Sequence, residues 1–298
     1  MQAHPDHLPE RQRSQLAHLI TNIVQAVAPE YILCFGTRLV SRQQWGCFLA
    51  GSTIPQQTTA EYDLLVIIPT RDKRQEHEVV QMCEQQGEQL DIKVNIIVYR
   101  SEATRAALDK GSFFFYAIYE HGFMLYRHTG LPLQEPLTGE LPTTDTTRPT
   151  WEKENARAMQ FYLTARHCLD TGRTELGVFL LHQSVQHTCM ALFKSVMGYR
   201  SNTHNLIRLL SLTATISPTL TQIFPANTPE EKALLNYLHE AYSGSRYQEH
   251  YTVPADQAAI LAERTKQFIE TAATLHPEQP GMQEKAQPIT FPITIQND

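Results

Sequence analysis

The sequence predicts an α+β protein, with a small mixed sheet and its helices first and an all-α helical bundle second. Short apolar runs bounded by glycine or proline predict strands in the first half of the chain. From residue 151 to about residue 273 the apolar residues recur at helical spacing, without a comparable strand pattern. Because the two patterns are segregated along the chain, we expect two domains with separate cores.

The composition divides the chain into four segments. We expect a mixed-sheet domain over 1–128, a linker rich in proline and threonine over 129–150, a helical bundle over 151–275 and a tail over 276–298. The apolar end of the tail, residues 289–295, has the pattern of an edge strand.

Each element of the first domain has a local signal. The patterns predict a helix over 8–28, a strand over 31–35 that stops at Gly36, a loop over 41–60, a strand over 62–68, a helix over 72–90, a strand over 93–99, a helix over 101–110 and a short strand over 122–126. Residues 113–119 fit either a helix or a strand.

The second domain contains only helical patterns. They predict helices near 152–170, 175–197, 203–213, 229–242 and 254–274. Gly198 is the expected stop of the longest helix, and Thr203 is the expected N-cap of the next one.

Charge and cysteine content exclude several classes of protein. The formal net charge is −6, which argues against a protein that mainly coats nucleic acid. No apolar run is long enough to span a membrane, and no secretory signal is visible, so we expect no membrane partner. The five cysteines are scattered without a CxxC pair, which favours a reducing, cytoplasmic location.

A first group of polar residues lies at the start of two predicted strands. Gly36 and Thr37 follow one strand, and Glu61 and Asp63 open the next. Two acidic residues two apart on a strand share a face and can hold Mg²⁺, while a glycine turn before a helix lets backbone N–H groups approach a triphosphate. The alternative is that both carboxylates merely cap a strand end, and spacing alone favours it.

Residues 31–126 resemble the minimal nucleotidyltransferase domain of the polymerase-beta-like superfamily. The resemblance rests on Phe35-Gly36-Thr37, Glu61-Tyr62-Asp63-Leu64-Leu65-Val66, Val94-Asn95-Ile96-Ile97-Val98 and Gly122-Phe123-Met124-Leu125-Tyr126. It implies that a nucleoside triphosphate is the substrate or ligand and that Mg²⁺ is the cofactor.

The resemblance also assigns roles to individual residues. Glu61 and Asp63 would hold Mg²⁺ as catalytic residues, and Gly36, Thr37 and Arg38 would bind the nucleotide. Asn95 stands at the third catalytic position, where the family has a carboxylate. An amide accepts no proton at neutral pH, so general-base help from this position is lost.

A second group of polar residues lies in the helical half. Arg246 and His250 are four apart, and chance alone explains such a spacing often. The same half contains His182-Gln183-Ser184-Val185-Gln186, the run from Lys194 to Gly198, Thr203-His204-Asn205-Leu206 and Ser245-Arg246-Tyr247. On these runs, residues 152–273 nevertheless resemble a HEPN domain.

The HEPN resemblance implies a motif made of His204, Arg246, Tyr247, His250 and Tyr251. The ribonuclease members separate Arg and His by four to six residues, whereas three separate them here. Members without that motif are thought to bind nucleotides or similar polyanions. From helical spacing alone, the histidines of the bundle are more simply explained as polar packing contacts.

Three functions stay open at this point. The leading hypothesis is a nucleotidyltransferase–HEPN fusion that passes a nucleoside monophosphate to a hydroxyl on a small molecule, RNA or protein. The second is a catalytically degenerate nucleotide-binding sensor or dimeric scaffold, and the third is a HEPN-type RNase. Tyr247 or Tyr251 is a candidate self-acceptor, and the fusion resembles toxin–antitoxin pairs. We expect a homodimer formed through the helical domain.

Overall fold

The computed structural model describes residues 9–42, 57–129, 148–248 and 250–275. These residues form two compact units, one within 9–129 and the other within 148–275. A mixed four-stranded sheet lies in the first unit and only helices lie in the second, which confirms the predicted α+β class. In the described part of the chain, no helix is long and apolar enough to cross a membrane.

The first unit alternates helices and strands. Its elements are α1 (Glu10–Val27), β1 (Tyr31–Arg42), β2 (Gln57–Ile68), α2 (Glu76–Gln89), β3 (Lys93–Arg100), α3 (Ser101–Asp109), α4 (Phe113–His121) and β4 (Phe123–Arg127). The strands lie in the order β3-β2-β1-β4, with β2 parallel to β3 and β1 antiparallel to both β2 and β4.

Strand alternation separates the two faces of the sheet. On β2, the side chains of Tyr62, Leu64 and Val66 belong to the apolar core that also contains residues of α1 and α2. Glu61 and Asp63 alternate with them and therefore lie on the opposite face. The core consequently fixes the direction in which both carboxylates point.

The strand boundaries correct two of our expectations. Gly36 does not end β1, which runs on to Arg42, and β2 already begins at Gln57. The expected loop over 41–60 is therefore wrong at both ends, while residues 43–56 lie outside the described residues. The ambiguous segment 113–119 is helical, as part of α4.

Arg74 ties the loop after β2 to the end of α1. Its Nη2 donates to the carbonyl oxygen of Val27 at 2.7 Å, and its Nη1 donates to that of Ala26 at 3.3 Å. The same guanidinium pairs with Asp72, and Arg100 donates to the backbone carbonyls of Asp72 and Arg74. A cation on the last carbonyls of a helix stabilises its C-terminus, and α1 has no basic residue in its own last turn.

The second unit is built around α6. Its helices are α5 (Arg148–Asp170), α6 (Thr174–Leu192), α7 (Leu206–Thr213), α8 (Pro218–Thr221), α9 (Pro229–Tyr247) and α10 (Ala255–Thr274). The fully buried residues of α6 include Leu181, Val185, Cys189 and Leu192, because this helix packs against α5, α9 and α10.

Several helix ends differ from the predicted ones. The helix expected over 175–197 ends as an α-helix at Leu192 and continues as a five-residue π-helical turn, Phe193–Met197, before Gly198 adopts a positive φ of 67°. It was expected to be the longest helix, but α6 has 19 residues and α5 has 23. The N-cap of α7 is Asn205 rather than Thr203, since the Asn205 side chain accepts a hydrogen bond from the backbone N–H of Arg208 at 3.1 Å. Helix α8 was not expected.

The expected boundaries of the linker and the tail can be compared with the structure only in part. Helix α5 begins at Arg148, so the last residues of the expected linker 129–150 are helical. Residues 130–147, the tail 276–298 and the edge strand expected at 289–295 lie outside the described residues.

Candidate functional site

Strand register brings the predicted site residues of the first unit into two rows. The first row runs Arg38, Glu61, Lys93 across β1, β2 and β3. The second row runs Gly36, Asp63, Asn95 across the same three strands. We call the five side chains of these rows the carboxylate cluster: Arg38, Glu61, Asp63, Lys93 and Asn95.

Arg38 binds both carboxylates of the carboxylate cluster. Its Nη1 and Nη2 donate to the two oxygens of Asp63 at 2.5 and 2.9 Å, a bidentate arrangement. Its Nε donates to Glu61 Oε2 at 3.2 Å, and Lys93 Nζ lies 3.3 Å from Glu61 Oε1. Burial lowers the pKa of Arg38, but the hydrogen bonds and charges of Asp63 and Glu61 raise it overall. The guanidinium is therefore a permanent cation here.

Asp63 is fully buried, with 0% of the residue exposed. Besides the Arg38 fork, its Oδ1 accepts a hydrogen bond from Asn95 Nδ2 at 2.6 Å. Gly36 leaves room for this carboxylate, because a Cβ at that position would lie 2.2 Å from Asp63 Oδ2. Glycine is thus required here for close approach to a side chain, and not for the phosphate-binding turn that we expected.

The predicted phosphate-binding residues lie within β1, which directs them to different faces of the sheet. No helix follows Gly36 within residues 9–42, so the expected turn of free N–H groups before a helix is wrong. Thr37 pairs in register with Tyr62, on the face opposite Arg38. Arg38 is directed at carboxylates. The nearby Cys34 is buried, which raises the pKa of its thiol to about 12 and keeps it from acting as a nucleophile.

The carboxylate cluster does not fit a magnesium ion as it stands. Glu61 and Asp63 offer the hard oxygen ligands that Mg²⁺ prefers, but both carboxylates already accept hydrogen bonds from Arg38. Asn95 turns its amide N–H₂ towards Asp63, which makes it a donor there. Among the described residues, no group of three or more His, Cys, Asp or Glu side chains is arranged to hold a metal.

A second polar group forms in the helical unit, where α6, the segment before α7, and α9 meet. The Tyr242 ring stacks on the His204 ring with centroids 4.9 Å apart and an interplanar angle of 9°. The Arg246 guanidinium lies 4.0 Å from the Tyr242 centroid, and the His182 ring lies 5.4 Å from it. We call His182, His204, Tyr242 and Arg246 the donor cluster.

Glutamines of α6 fix the two histidine rings of the donor cluster. Gln186 Nε2 lies 3.0 Å from His204 Nδ1, and Gln183 Nε2 lies 3.1 Å from His182 Nδ1. Whether each Nδ1 donates or accepts in these pairs depends on the tautomer of its ring and on the orientation of the glutamine amide. The Nε2 of His182 is buried. Burial lowers the pKa of His182 to about 3, the charges of His239, His204 and Arg246 act in the same direction, and a hydrogen bond with the His204 backbone opposes them.

Arg246 is held in place by aromatic rings. Its guanidinium lies 4.9 Å from the Tyr247 centroid and 5.9 Å from the Phe179 centroid, in addition to Tyr242. Its Nε donates to the backbone carbonyl of Tyr242 at 2.6 Å. Its two terminal nitrogens, Nη1 and Nη2, have no hydrogen-bond partner among the described residues.

The other residues of the expected HEPN motif have different positions. Tyr251 packs its ring against Gly244 and donates its hydroxyl to the Tyr237 carbonyl at 2.6 Å, and burial raises the pKa of that hydroxyl. Tyr247, by contrast, is 77% exposed. His250 is exposed and follows the end of α9, outside the helix that carries Arg246.

Sequence reasoning missed two members of these clusters, Lys93 and Tyr242. Arg38 was named as a site residue, but it was expected on the nucleotide and it binds the two carboxylates instead. A signal for Tyr242 existed, because it precedes Arg246 by four residues on one helix and such residues share a face. No signal existed for Lys93, since its contact depends on the register of two strands.

The second unit is similar to a known family. Residues 153–275 match the HEPN domain family, which confirms the predicted HEPN domain in this part of the chain. A search of curated proteins finds no significant match to the chain. The small mixed sheet of the first unit is compatible with a nucleotidyltransferase-like fold.

Proposed function

We propose that this chain is a nucleotide-binding protein in which a nucleotidyltransferase-like unit precedes a HEPN domain, and that it binds nucleotide without metal-dependent transfer. The HEPN match over 153–275 and the motif resemblance of residues 31–126 support the nucleotide as ligand. Of the hypotheses that the sequence left open, this is the degenerate sensor rather than the active transferase.

The observation that carries this choice is the bidentate contact of Arg38 with Asp63. The cluster holds two carboxylates, one guanidinium and one ammonium, so its formal charges already balance. A divalent cation would have to displace Arg38 from a carboxylate that is fully buried. Removing one partner of a buried ion pair costs about 3–5 kcal/mol, which sets the scale of that displacement.

Asn95 supports the same choice. A transferase needs a group that removes the proton from the attacking hydroxyl, and an amide does not accept it. The Asn95 amide is also engaged, because its Nδ2 donates to Asp63 at 2.6 Å. The carboxylate cluster therefore has the chemistry of a structural ion-pair network.

A thermal-shift titration with ATP, GTP, CTP and UTP tests the proposal. We expect at least one nucleotide to stabilise the protein equally in Mg²⁺ and in EDTA, by about 2.7 kcal/mol at 100 times its dissociation constant. We expect no transfer of α-phosphate label to protein or RNA. A Mg²⁺-dependent shift together with label transfer, both lost in Asp63→Asn, would establish the transferase instead.

RNA cleavage is a second candidate, favoured by one observation. His204 and Arg246 both lie against the Tyr242 ring, so an acid–base group and a cation share one site on the HEPN domain. The test is cleavage of single-stranded RNA in EDTA by the wild type and by Arg246→Gln, His204→Gln and His250→Gln. Cleavage lost only in His250→Gln and Arg246→Gln would favour the expected Arg–His motif, and loss in His204→Gln would favour the pair on Tyr242.

A further inference from the structure

We propose that residues 289–295 bind as a further strand to the outer edge of β3 and extend the sheet of the first unit. This inference concerns an interaction surface away from both clusters, and it does not depend on the proposed function. It is carried by the open edge of β3 and by the sequence pattern of residues 289–295.

Strand β3 pairs on one side only in the described part of the chain, because it lies at the end of the order β3-β2-β1-β4. Its buried residues, 94–98, keep 4–7% exposure, whereas their partners in register on β2, residues 62–66, keep 0–1%. Among the described residues, no backbone hydrogen bond to 94–98 is found outside the pairing with β2. Every second residue of this stretch therefore turns its N–H and C=O groups away from β2 without a described partner.

This edge lacks the features that usually prevent pairing with another strand. Within β3 there is no proline, glycine or bulge, and its charged residues, Lys93 and Arg100, are confined to the two ends. The other outer strand, β4, is protected, since it has five residues and its register against β1 is interrupted between Ile32 and Leu33. A regular edge of eight mostly apolar residues is a template for a further strand.

The tail has the alternation of a strand with one apolar face. Residues 289–295 read Ile-Thr-Phe-Pro-Ile-Thr-Ile, so in an extended conformation the three isoleucines and the phenylalanine share one face. This run of seven residues matches the length of β3, which has eight. Its apolar face would extend the row that β3 contributes to the core, formed by Val94, Ile96 and Val98.

Pro292 selects an outermost strand. Proline has no N–H, so within sheets it is found in edge strands, at positions whose N–H side is turned outwards. Pro292 alternates with the four apolar residues, so when those residues pair with β3, Pro292 points away from it. The same proline hinders a further strand from adding beyond the tail.

The connection to the tail favours pairing within one chain. Residues 276–288 separate the described end of the second unit from this run. When extended, these residues span up to about 43 Å. Tethering raises the effective concentration of the tail near its own chain to the millimolar range, so we expect it to bind its own β3 rather than that of a second copy.

Hydrogen exchange of the full chain, measured by mass spectrometry, tests the inference with two matched substitutions. Phe291→Asp places a carboxylate on the apolar face of the tail, and Thr290→Asp places the same charge on the opposite face. We expect exchange in segments 94–98 and 289–295 to become at least about tenfold faster in Phe291→Asp and to keep the wild-type rate in Thr290→Asp. Segment 123–127 of β4 should be unchanged in both variants.

A pair of proline substitutions tests which residues pair with β3. Ile293→Pro removes an N–H that would bond to β3 and should release the tail, whereas Thr294→Pro removes one that points away and should be tolerated. Ile293→Ala keeps the N–H and should release the tail less than Ile293→Pro does. Equal exchange in Ile293→Pro and Thr294→Pro would overturn the alternation. Circular dichroism confirms that each variant is folded.

Three other outcomes would overturn the inference. Wild-type exchange over 289–295 at the rate of an unstructured peptide would show that the tail is not paired. Faster exchange at 123–127 rather than at 94–98 in Phe291→Asp would assign the tail to β4. Protection that rises with protein concentration would assign the tail to β3 of a second copy and overturn pairing within one chain.

Discussion

The two arginine-centred clusters of this chain use similar parts in opposite ways. In the carboxylate cluster, Arg38 directs three nitrogens at Asp63 and Glu61, and each charge has a counter-charge. In the donor cluster, Arg246 uses only Nε, on a backbone carbonyl, and lies on aromatic rings. The first cluster is closed by its own side chains, whereas the second leaves its donors for something else to satisfy.

Burial explains the difference. Asp63 is inside the protein, where an unpaired charge is costly, so its partners must come from the chain itself. Arg246 and His204 are exposed, so water satisfies their donors until a ligand replaces it. A cluster of charged residues is therefore a candidate binding site when some of its groups lack a partner within the protein. The residue types alone do not show whether this is so.

Replacing each arginine by methionine should show the largest difference in stability between the two clusters. Arg38→Met takes the bidentate counter-charge from the buried Asp63 carboxylate and should lower the free energy of unfolding by about 3–5 kcal/mol. Arg246→Met loses the stacking on its neighbouring rings and the hydrogen bond from Nε to the Tyr242 carbonyl, at an exposed position, and should cost only about 1 kcal/mol. Urea unfolding followed by circular dichroism measures both, and equal losses would contradict the closed-versus-open distinction.

The pH dependence of stability should distinguish the clusters next. His182 has a pKa of about 3 in the folded protein and about 6.5 when unfolded, so below pH 6.5 the unfolded chain binds the extra proton. Stability from this residue is complete above pH 6.5 and falls by up to about 1.4 kcal/mol per unit as the pH drops towards 3. Urea unfolding between pH 7 and 4 measures this slope.

His182→Gln is the control for that slope. It removes the titrating group and should flatten the curve, although His187 and His239, whose pKa values burial also lowers, keep part of it. An unchanged slope in His182→Gln would show that this histidine is protonated in the folded state or does not control the pH dependence.

Gly36→Ala should test how tightly the carboxylate cluster is packed around Asp63. The new methyl group would lie 2.2 Å from Asp63 Oδ2, so the carboxylate must shift, at a cost of about 1–3 kcal/mol in the free energy of unfolding. In an Asp63→Ala background the same substitution should cost much less, because the carboxylate is gone and only the Cβ of residue 63, at 3.2 Å, remains in the way. If the two substitutions lower the free energy of unfolding additively, the cost of Gly36→Ala does not come from contact with Asp63 but from another part of β1.

The smallest effect should separate two tyrosines of the expected HEPN motif. Tyr251→Phe removes the hydrogen bond to the Tyr237 carbonyl and should lower stability by about 1 kcal/mol. Tyr247→Phe, at an exposed ring, should leave stability within about 0.5 kcal/mol of the wild type. Thermal unfolding of both variants measures this, and the reverse order would mean that Tyr247 has a structural role.

The elements that depend on local pattern could be predicted, and those that depend on register could not. Helix α1 was expected over 8–28 and spans Glu10–Val27, because its apolar spacing is complete within the segment. The end of β1 was misplaced because Gly36 was interpreted as a stop, whereas cross-strand pairing continues to Arg42. The residues Glu61, Asp63 and Asn95 were expected together and do lie together.

The sequence could not predict that Arg38 binds the two carboxylates of the carboxylate cluster. That Arg38 faces Glu61, 23 residues away, follows only from the antiparallel register of β1 and β2. In the HEPN domain, the motif resemblance located His204 and Arg246 but not the Tyr242 ring between them in the cluster. Motifs mark which segments meet, while the side chain that joins them depends on the packing of α6, α7 and α9.

The contact between Arg74 and α1 has a consequence for the order of events during synthesis. Arg74 follows Val27 by 47 residues, so ribosomes release the N-terminal helix well before the residue that covers its last carbonyls. Until the loop after β2 has emerged and docked, only water or transient partners can cover the carbonyls of Ala26 and Val27, so we expect the last turn of α1 to fray. Arg74 would then couple completion of the first helix to formation of the sheet.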